Sequence, residues 1–191
     1  MRNTLSLGAF LLVILLSTSL FASGVGITGI GARATALGGN YRAVSSDWSA
    51  MFWNPAGLTQ IEGLHFGASF ELITPEAKYT LNQNTPAFGV FKTGEIGNES
   101  KTFYIPAAGI VYGMDKMTFG LSIYAPFGLG SEWDAMNTAD YHSQYPEYDY
   151  EDDLQIVDIH PTFAYQVNDK LSVGVGLSFV MADILMHHPN L

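Results

Sequence analysis

Cysteine is absent from the chain and charged residues are scarce. With no cysteine among 191 residues, a disulfide scaffold, a thiol nucleophile and a cysteine zinc site are all excluded. Charged residues make up 14% of the chain, against roughly 25% in a typical soluble domain. Lys and Arg total 8 against 18 Asp and Glu, and this acidic balance predicts that no nucleic acid is bound. Glycine, at 20 residues, and aromatic side chains, at 13%, are abundant, as is typical of a membrane β-barrel.

The N-terminus has the pattern of an export signal. Arg2 is followed by an apolar run over 5–21 and by small residues at 22–24. A transmembrane anchor is the alternative interpretation, but such a span needs about 20 apolar residues and no cluster of positive charge follows this shorter run. The sequence therefore predicts a cleaved signal peptide and an exported chain.

Residues 25–63 differ from everything that follows. They are rich in Gly, Ala and Ser and show no sustained period of two. A short helix is predicted over 46–53, and it ends there because Pro55 disfavours helical geometry at Asn54. Gly57 then offers a turn. The apolar run over 51–53 fits poorly with a flexible linker, so a compact plug-like segment is predicted.

From Leu64 onward the apolar residues recur with a period of two, which predicts strands. Short polar turns at 114–116 and 168–170 alternate with long polar connections near 83–101 and 127–153. A soluble β-sandwich would explain the alternation of side chains, but short turns at one end and long loops at the other are typical of an outer-membrane barrel. One antiparallel meander is predicted, with strands near 64–80, 102–113, 117–127, 154–167 and 171–184.

Three stretches of the chain together resemble one family of membrane proteins. The first is 31–39 followed by 49–58, which is similar to an N-terminal hatch with an Asn-Pro-Ala signature at 54–56. The second, 124–129, is similar to a motif at the end of the third strand. The third, 160–176, is similar to the fourth strand, a periplasmic turn and the fifth strand. In this order they resemble the FadL-type (FadL/TodX-like) outer-membrane transporters of long-chain fatty acids and other hydrophobic compounds.

The resemblance implies an all-β fold, the antiparallel transmembrane β-barrel of the FadL type with an N-terminal hatch. The expected domains are the signal peptide at 1–24, the hatch at 25–63 and the first five or so barrel strands at 64–191. So few strands form an incomplete barrel, whose open edges in hydrocarbon would leave backbone groups unpaired. We therefore expect an N-terminal, truncated fragment of a protein of the cell outer membrane of a Gram-negative-type bacterium. The alternating residues Phe119, Leu121, Ile123, Val173, Val175 and Leu177 are expected to face lipid, and Ser172, Gly174 and Gly176 to face the hatch.

The function that the resemblance implies is passive uptake, without catalysis or a cofactor. Its expected partners are hydrophobic small molecules, either long-chain fatty acids or hydrocarbons, and outer-membrane lipid. The alternative is a related outer-membrane barrel that does not transport and acts as a structural or protein-interaction partner. The candidate ligand-binding and gating residues are Arg33 and Arg42 as carboxylate partners, Asn54, Pro55 and Ala56 as the hatch signature, and Phe127 beside the exit path at the break in the third strand.

Two polar residues on one strand invite an enzymatic interpretation. Asp158 and His160 share the inward face, and together with Ser172 or Ser178 they are compatible with a lipid esterase. The sequence contains no nucleophile elbow, and polar residues that face the lumen are normal in barrels. No catalytic residue is therefore predicted.

Metal sites are also not predicted. His187 and His188 are adjacent, and adjacent residues of a strand point to opposite faces. Residues 132–153 contain eight acids and no Lys or Arg, but they lack the spacing of an EF-hand. A solvated extracellular loop explains that composition. Its interleaved aromatic residues leave open a shallow apolar platform for a hydrophobic ligand.

Overall fold

The computed structural model describes residues 26–27, 29–80, 91–135 and 150–188. The predicted signal peptide and most of the acidic stretch lie outside these residues. The helical elements are α1 (Ala32–Ala36), α2 (Ala50–Trp53) and a 3-10 helix (Pro55–Gln60). The strands are β1 (Gly63–Ile73), β2 (Lys78–Thr80), β3 (Glu95–Gly97), β4 (Phe103–Met114), β5 (Met117–Tyr124), β6 (Gly130–Trp133), β7 (Tyr150–Asn168), β8 (Leu171–Gly176) and β9 (Phe179–His187). Within these ranges, no helix has the length and apolar character that crossing a membrane requires.

One antiparallel sheet holds every described strand except the separate pair β2 and β3. β1 pairs with β4, β4 with β5, and β5 with β7. β7 is 19 residues long, and it pairs with β5 and β6 along one edge and with β8 and β9 along the other. The predicted antiparallel meander and the all-β fold class are confirmed.

Several predicted strands differ in extent from those in the structure. The strand predicted near 64–80 is divided into β1 and β2 around Pro75, which has no N–H to donate to a ladder. The strand predicted near 154–167 already begins at Tyr150, where the acidic residues pair with β6 and β9. The strand predicted near 171–184 is interrupted between β8 and β9, where the N–H of Leu177 donates to the carbonyl of Pro161 at 3.0 Å.

The two faces of the sheet have opposite character. Phe119 on β5 and Val175 on β8 are 47% and 58% exposed, whereas the neighbouring Thr118 and Ser122 are buried. An apolar face of this size is unusual for a soluble protein and matches the lipid-facing side of a barrel. The exposed apolar side chains of the outer face include Phe66, Phe70, Leu72, Tyr104, Ile110, Tyr112, Phe119, Leu121, Ile123, Val173, Val175 and Leu177.

The described residues between 26 and 61, here named the hatch segment, cover the inner face of the sheet. Met51 and Leu58 form a buried cluster with Val111 of β4 and Ala164 of β7. A second buried cluster joins Ile30 to Ala107 and Tyr124 of the sheet. The hydrophobic core therefore lies between the hatch segment and the sheet.

Helix α2 is shorter than the helix predicted over 46–53. The N–H of Ser49 donates to Oδ1 of Asp47 at 2.9 Å, and this local turn occupies the residues before the helix. Pro55 ends the helix as predicted, since Asn54 is extended with φ −161°. The 3-10 helix follows, where the sequence predicts only a turn at Gly57.

Glycines on the inner face of the strands allow the hatch segment to approach closely. A Cβ atom on Gly120 would lie 2.4 Å from Sδ of Met51. On Gly174 it would lie 2.5 Å from backbone atoms of Pro55 and Ala56. The atoms that oppose Gly174 belong to the backbone, so that position requires the absence of a side chain. At Gly120 a Cβ atom would instead force the flexible side chain of Met51 to shift. The other inner-face glycines that meet hatch atoms are Gly67, Gly109 and Gly113.

Candidate functional site

The sheet is interrupted beside the end of β5. Pairing of β5 with β4 stops at Ile123, and its pairing with β7 stops at Tyr124. β6 resumes the pairing with β7 from Gly130. Residues 125–128 leave the ladder between these points, because Pro126 has no N–H and restricts the residue before it. The carbonyl of Leu129 again accepts from β7, from the N–H of Leu154 at 3.2 Å. The wall of the sheet is therefore broken between β4 and β7.

A cavity of about 760 Å³, here named the wall cavity, occupies this interruption. Its lining includes Ile105 and Tyr124, which are buried, and Phe70 and Tyr104, which are exposed on the outer face. The cavity therefore reaches both faces of the sheet, and its volume lies in the usual range of ligand pockets. Most of the lining is apolar; its polar and charged members other than tyrosine are Ser69, Lys101, Thr102, Asp153 and Gln155.

The hatch segment borders the interruption at two points. The N–H of Ile27 donates to the carbonyl of Pro126 at 3.3 Å, beside an isolated antiparallel bridge between Gly26 and Phe127. Phe52 of α2 packs edge-on against Tyr124, with ring centroids 5.4 Å apart. A displacement of the hatch segment therefore changes the border of the wall cavity.

The charged residues of the lining are already paired. Nζ of Lys101 lies 3.1 Å from Oε1 of Glu132 and 3.2 Å from Oδ2 of Asp153. The hydrogen bond to Glu132 raises the pKa of Lys101, and Asp153 adds to the rise, so the ammonium remains charged at neutral pH. Two buried oxygens of the lining, Oδ1 of Asp153 and Oγ of Ser69, have no hydrogen-bond partner among the described residues. The lining thus offers hydrogen-bonding oxygens but no unpaired cation.

The hatch signature lies at the contact between the hatch segment and the sheet. Nδ2 of Asn54 donates to the carbonyl of Arg42 at 3.1 Å and ties the end of α2 to the preceding loop. Pro55 and Ala56 lie against Gly174. One turn later, the hydroxyl of Thr59 bonds that of Ser172 at 2.9 Å. The signature therefore docks the 3-10 helix on β8.

The other predicted site residues lie in different places. Phe127 lines the wall cavity, as a residue at the strand break should. Arg33 and Arg42 are exposed on the hatch segment, and neither lines the cavity. The guanidinium of Arg33 lies over the ring of Tyr41, 5.6 Å from its centroid. The arginines and Phe127 are thus not brought together around one site in the described part of the chain.

Asp158, His160 and Ser178 come together on the inner face but do not form a triad. Nδ1 of His160 lies 3.0 Å from Oγ of Ser178 and 3.6 Å from Oδ2 of Asp158. In a Ser-His-Asp triad the serine and the aspartate contact different nitrogens of the imidazole ring. Because one nitrogen faces both partners here, the cluster lacks the geometry for relaying a proton.

The two adjacent histidines make separate contacts. His187 pairs with Glu151 in the β7–β9 ladder, and Nε2 of His188 lies 2.9 Å from Oδ1 of Asp152. Within the ranges that the structure describes, no group of three or more His, Asp or Glu side chains is placed to hold a metal ion.

Lys101 is a residue of the cavity that the sequence interpretation missed. Charge complementarity could have pointed to it, because residues 132–153 contain eight Asp or Glu and no Lys or Arg, and so need a cation from elsewhere. A lysine directly before a strand is the nearest available partner for such a stretch. The pairing itself, however, depends on strand order, since Lys101 and Asp153 come together only across the interrupted sheet.

Comparisons with known proteins agree with this architecture. A protein of Neisseria meningitidis serogroup B, named "Putative outer membrane protein NMB0088", is 30% identical over 131 residues, which cover 64% of this chain and 28% of that protein. The solved structure of the P. putida toluene transporter TodX matches with a TM-score of 0.62 and 21% identity over 82% of this chain and 36% of that one. The CymD monoaromatic hydrocarbon channel matches with a TM-score of 0.55 and 21% identity over 85% and 34%.

The chain spans about a third of the length of these relatives. At 21% identity the two solved structures show a shared fold. The family described as outer membrane protein transport protein (OMPP1/FadL/TodX) matches residues 13–190, which is nearly the whole chain. With the hatch segment, the antiparallel sheet and the interrupted wall in place, the chain belongs to the OMPP1/FadL/TodX family of outer membrane transport proteins.

Proposed function

We propose that the protein takes up hydrophobic compounds passively across the outer membrane, after export on a cleaved signal peptide. The substrates are long-chain fatty acids or hydrocarbons. The observation that carries the proposal is the wall cavity, an apolar space that reaches both faces of the sheet beside the hatch segment. Family membership supports it, as do the names of the relatives TodX, a toluene transporter, and CymD, a monoaromatic hydrocarbon channel.

Release of the substrate into the wall follows a small movement of the hatch segment. The contact between Ile27 and Pro126 closes the break from the inside, and a single backbone hydrogen bond of this kind contributes only about 0.5–1.5 kcal/mol. The Asn54-Pro55-Ala56 signature holds the body of the hatch segment against β8, and the residues before it act as the gate. The substrate then passes Phe127 and leaves sideways into lipid.

The charges around the wall cavity favour uncharged substrates at this step. A carboxylate entering a site of low dielectric requires a cationic partner. Lys101 is already shared between Glu132 and Asp153, so a fatty acid anion would have to displace one of them. Arg33 and Arg42 are the proposed carboxylate partners for an anionic fatty acid, since both are exposed and form no ion pair within the described part of the chain.

The second candidate is an outer-membrane barrel that binds other proteins and does not transport. It predicts a hatch segment without an apolar cavity beside it. The wall cavity next to the ends of the hatch segment therefore supports transport over the alternative.

The test uses the natural absence of cysteine. Ala125→Cys places a unique thiol in the half-buried lining of the wall cavity, and Ala77→Cys places one in the exposed connection before β2. We expect alkylation with a bulky maleimide to block uptake of a labelled hydrocarbon and a labelled long-chain fatty acid in the first variant and not in the second. Undiminished uptake by fully alkylated Ala125→Cys protein would refute the proposed path.

A further inference from the structure

Asp158 is a buried carboxylate to which the proposed passage assigns no role. It lies on the inner face of β7, opposite Tyr124 of β5, and is only 3% exposed. Its Oδ1 has no hydrogen-bond partner among the described residues, and its Oδ2 lies 3.6 Å from Nδ1 of His160, beyond hydrogen-bond distance. Burying a carboxylate with so few partners is costly, so the contact that it does form requires an explanation.

The hydroxyl of Tyr124 forms that contact. It donates a hydrogen bond to the carboxylate of Asp158, and both side chains are buried. A hydrogen bond to a charged acceptor is stronger than one between neutral groups, and exclusion of water strengthens it further. Tyr124 is the last residue of β5, where the pairing with β7 stops. The bond therefore holds the tyrosine ring at the border of the interruption in the sheet.

The ring of Tyr124 lies between the hatch segment and the wall cavity. It lines the cavity, and on the hatch side the ring of Phe52 packs against it edge-on with centroids 5.4 Å apart. Ile30 of the hatch segment belongs to the same buried cluster. The imidazole of His160 lies 5.8 Å from the ring and supports it from β7. Since only 4% of Tyr124 is exposed, its ring occupies the space through which the two regions would communicate.

The hatch segment and Asp158 hold this ring independently. Withdrawal of the hatch segment removes the contact with Phe52, but the bond to Asp158 joins two strands of the sheet and remains. We propose that the ring of Tyr124 closes the wall cavity towards the hatch segment and that Asp158 is the positioning residue that keeps it closed. The inference rests on the proposed passage through the wall. It adds an inner closure that must also open before a substrate enters the cavity.

The experiment measures this closure through the unique thiol of Ala125→Cys, in the half-buried lining of the wall cavity. The complete gene product is embedded in lipid vesicles, where hydrocarbon covers the outer face of the sheet. A sulfonated methanethiosulfonate does not enter hydrocarbon, so it has to approach this thiol from the aqueous interior of the barrel. Ala77→Cys, in the exposed connection before β2, gives the rate of an unhindered thiol in each variant.

Three substitutions separate the hydrogen bond from other effects. Tyr124→Phe keeps the ring and removes the donor, Asp158→Val removes the acceptor, and Asp158→Asn retains a neutral acceptor. We expect the first two to accelerate modification of the thiol about tenfold or more, and Asp158→Asn to stay within about threefold of the wild type. Tyr124→Phe combined with Asp158→Val should react no faster than either single variant, because both remove the same bond.

Thr118→Val is the matched control. It removes another buried hydroxyl from the inner face of β5, and Thr118 does not line the wall cavity. Its rate should equal that of the wild type. Resistance to unfolding in dodecyl sulfate identifies folded variants, and Tyr124→Phe alone tests the closure where Asp158→Val fails to assemble. The proposal is overturned if Tyr124→Phe reacts at the wild-type rate, if the effects of Tyr124→Phe and Asp158→Val add, or if Asp158→Asn reacts as fast as Asp158→Val.

Uptake by the alkylated Ala125→Cys protein distinguishes this proposal from the proposed function. Blocked uptake with unchanged rates of modification removes only the closure by Tyr124. Accelerated modification with undiminished uptake supports the closure of the cavity and refutes the passage through the wall.

Discussion

Replacing Gly174 by alanine should detach the 3-10 helix of the hatch segment from the sheet. The new Cβ would lie 2.5 Å from the backbone nitrogen of Ala56 and from the carbonyl carbon of Pro55. These are backbone atoms next to a proline, so rotation of a side chain cannot relieve the clash. The 3-10 helix must move away, and the bond between Thr59 and Ser172 at 2.9 Å is stretched with it.

The magnitude follows from two terms. Inserting a methyl group into a well-packed contact costs about 1–3 kcal/mol, and the hydroxyl bond contributes about 0.5–1.5 kcal/mol more when it is lost. The two terms total about 1.5–4.5 kcal/mol, so the opened form of the hatch segment should become at least about tenfold more populated, and about two-thousandfold at the upper end. Because β8 is held by β7 along its whole length, the sheet itself should stay intact.

Hydrogen exchange of peptides that cover 50–61 measures this opening in the complete gene product, since exchange reports local unfolding. Gly97→Ala is the matched control, because its Cβ would lie 3.9 Å from the carbonyl of Ala77, an ordinary contact. Exchange should accelerate in Gly174→Ala alone, with the barrel still resistant to unfolding in dodecyl sulfate. If Gly174→Ala exchanges like the wild type, the close docking of the hatch segment on β8 is wrong.

Val175→Arg should impair membrane assembly by about 2–4 kcal/mol, as scored by the folded fraction in lipid, since Val175 is 58% exposed on the outer face; normal assembly would contradict the facing assignment. Asn54→Ala removes the bond to Arg42 and should reduce uptake of a labelled long-chain fatty acid at matched outer-membrane levels, whereas equal uptake would leave Asn54 a purely structural helix end. Asp153→Asn removes one of the two carboxylates that pair with Lys101. It should improve binding of a fatty acid about two- to fivefold and leave binding of the methyl ester of that fatty acid unchanged. An unchanged ratio of the two affinities would exclude Lys101 from substrate selection. Burial raises the pKa of Tyr41 above its ordinary value of about 10, and its neutral hydroxyl donates to Asp47. The stability contributed by this hydrogen bond is therefore complete below about pH 10, and it is lost as the pH rises through the pKa of Tyr41 in the folded protein. Tryptophan fluorescence should report this alkaline loosening in the wild type and show a smaller pH dependence in Tyr41→Phe.

The alternation of side chains was sufficient to predict the main strands and the two faces of β5 and β8. In β5 and β8 every second residue is apolar, and a barrel wall with lipid on one side requires that pattern. Pro55 likewise predicts the end of α2, because its effect on Asn54 is local. Features that depend on one or two neighbouring residues were therefore within reach of the sequence.

Features created by contacts between distant strands could not be predicted from the sequence. The pairing of Lys101 with Glu132 and Asp153 requires the order β4, β5, β7, with β6 beside β7. Gly120 and Gly174 allow the hatch segment to approach the sheet closely. The alternation of a strand cannot predict this contact, because it shows only that a small residue occupies the position. The pairing of β2 with β3 was also not predicted, because strands of three residues are too short to show any period.

The inner-face glycines also bear on how such proteins can be recombined in the laboratory. Gly67, Gly109, Gly120 and Gly174 belong to β1, β4, β5 and β8, yet all of them meet atoms of the hatch segment. Three of these gaps are filled by bulky side chains, such as the indole of Trp48 at Gly67, and the gap at Gly174 is filled by the backbone of Pro55 and Ala56. A chimera that joins this hatch segment to the strands of a relative would combine it with gaps that fit different side chains. The hatch segment should therefore be exchanged together with the strands through β8. A junction placed between residues 61 and 63 would separate the hatch segment from the glycines that it packs against.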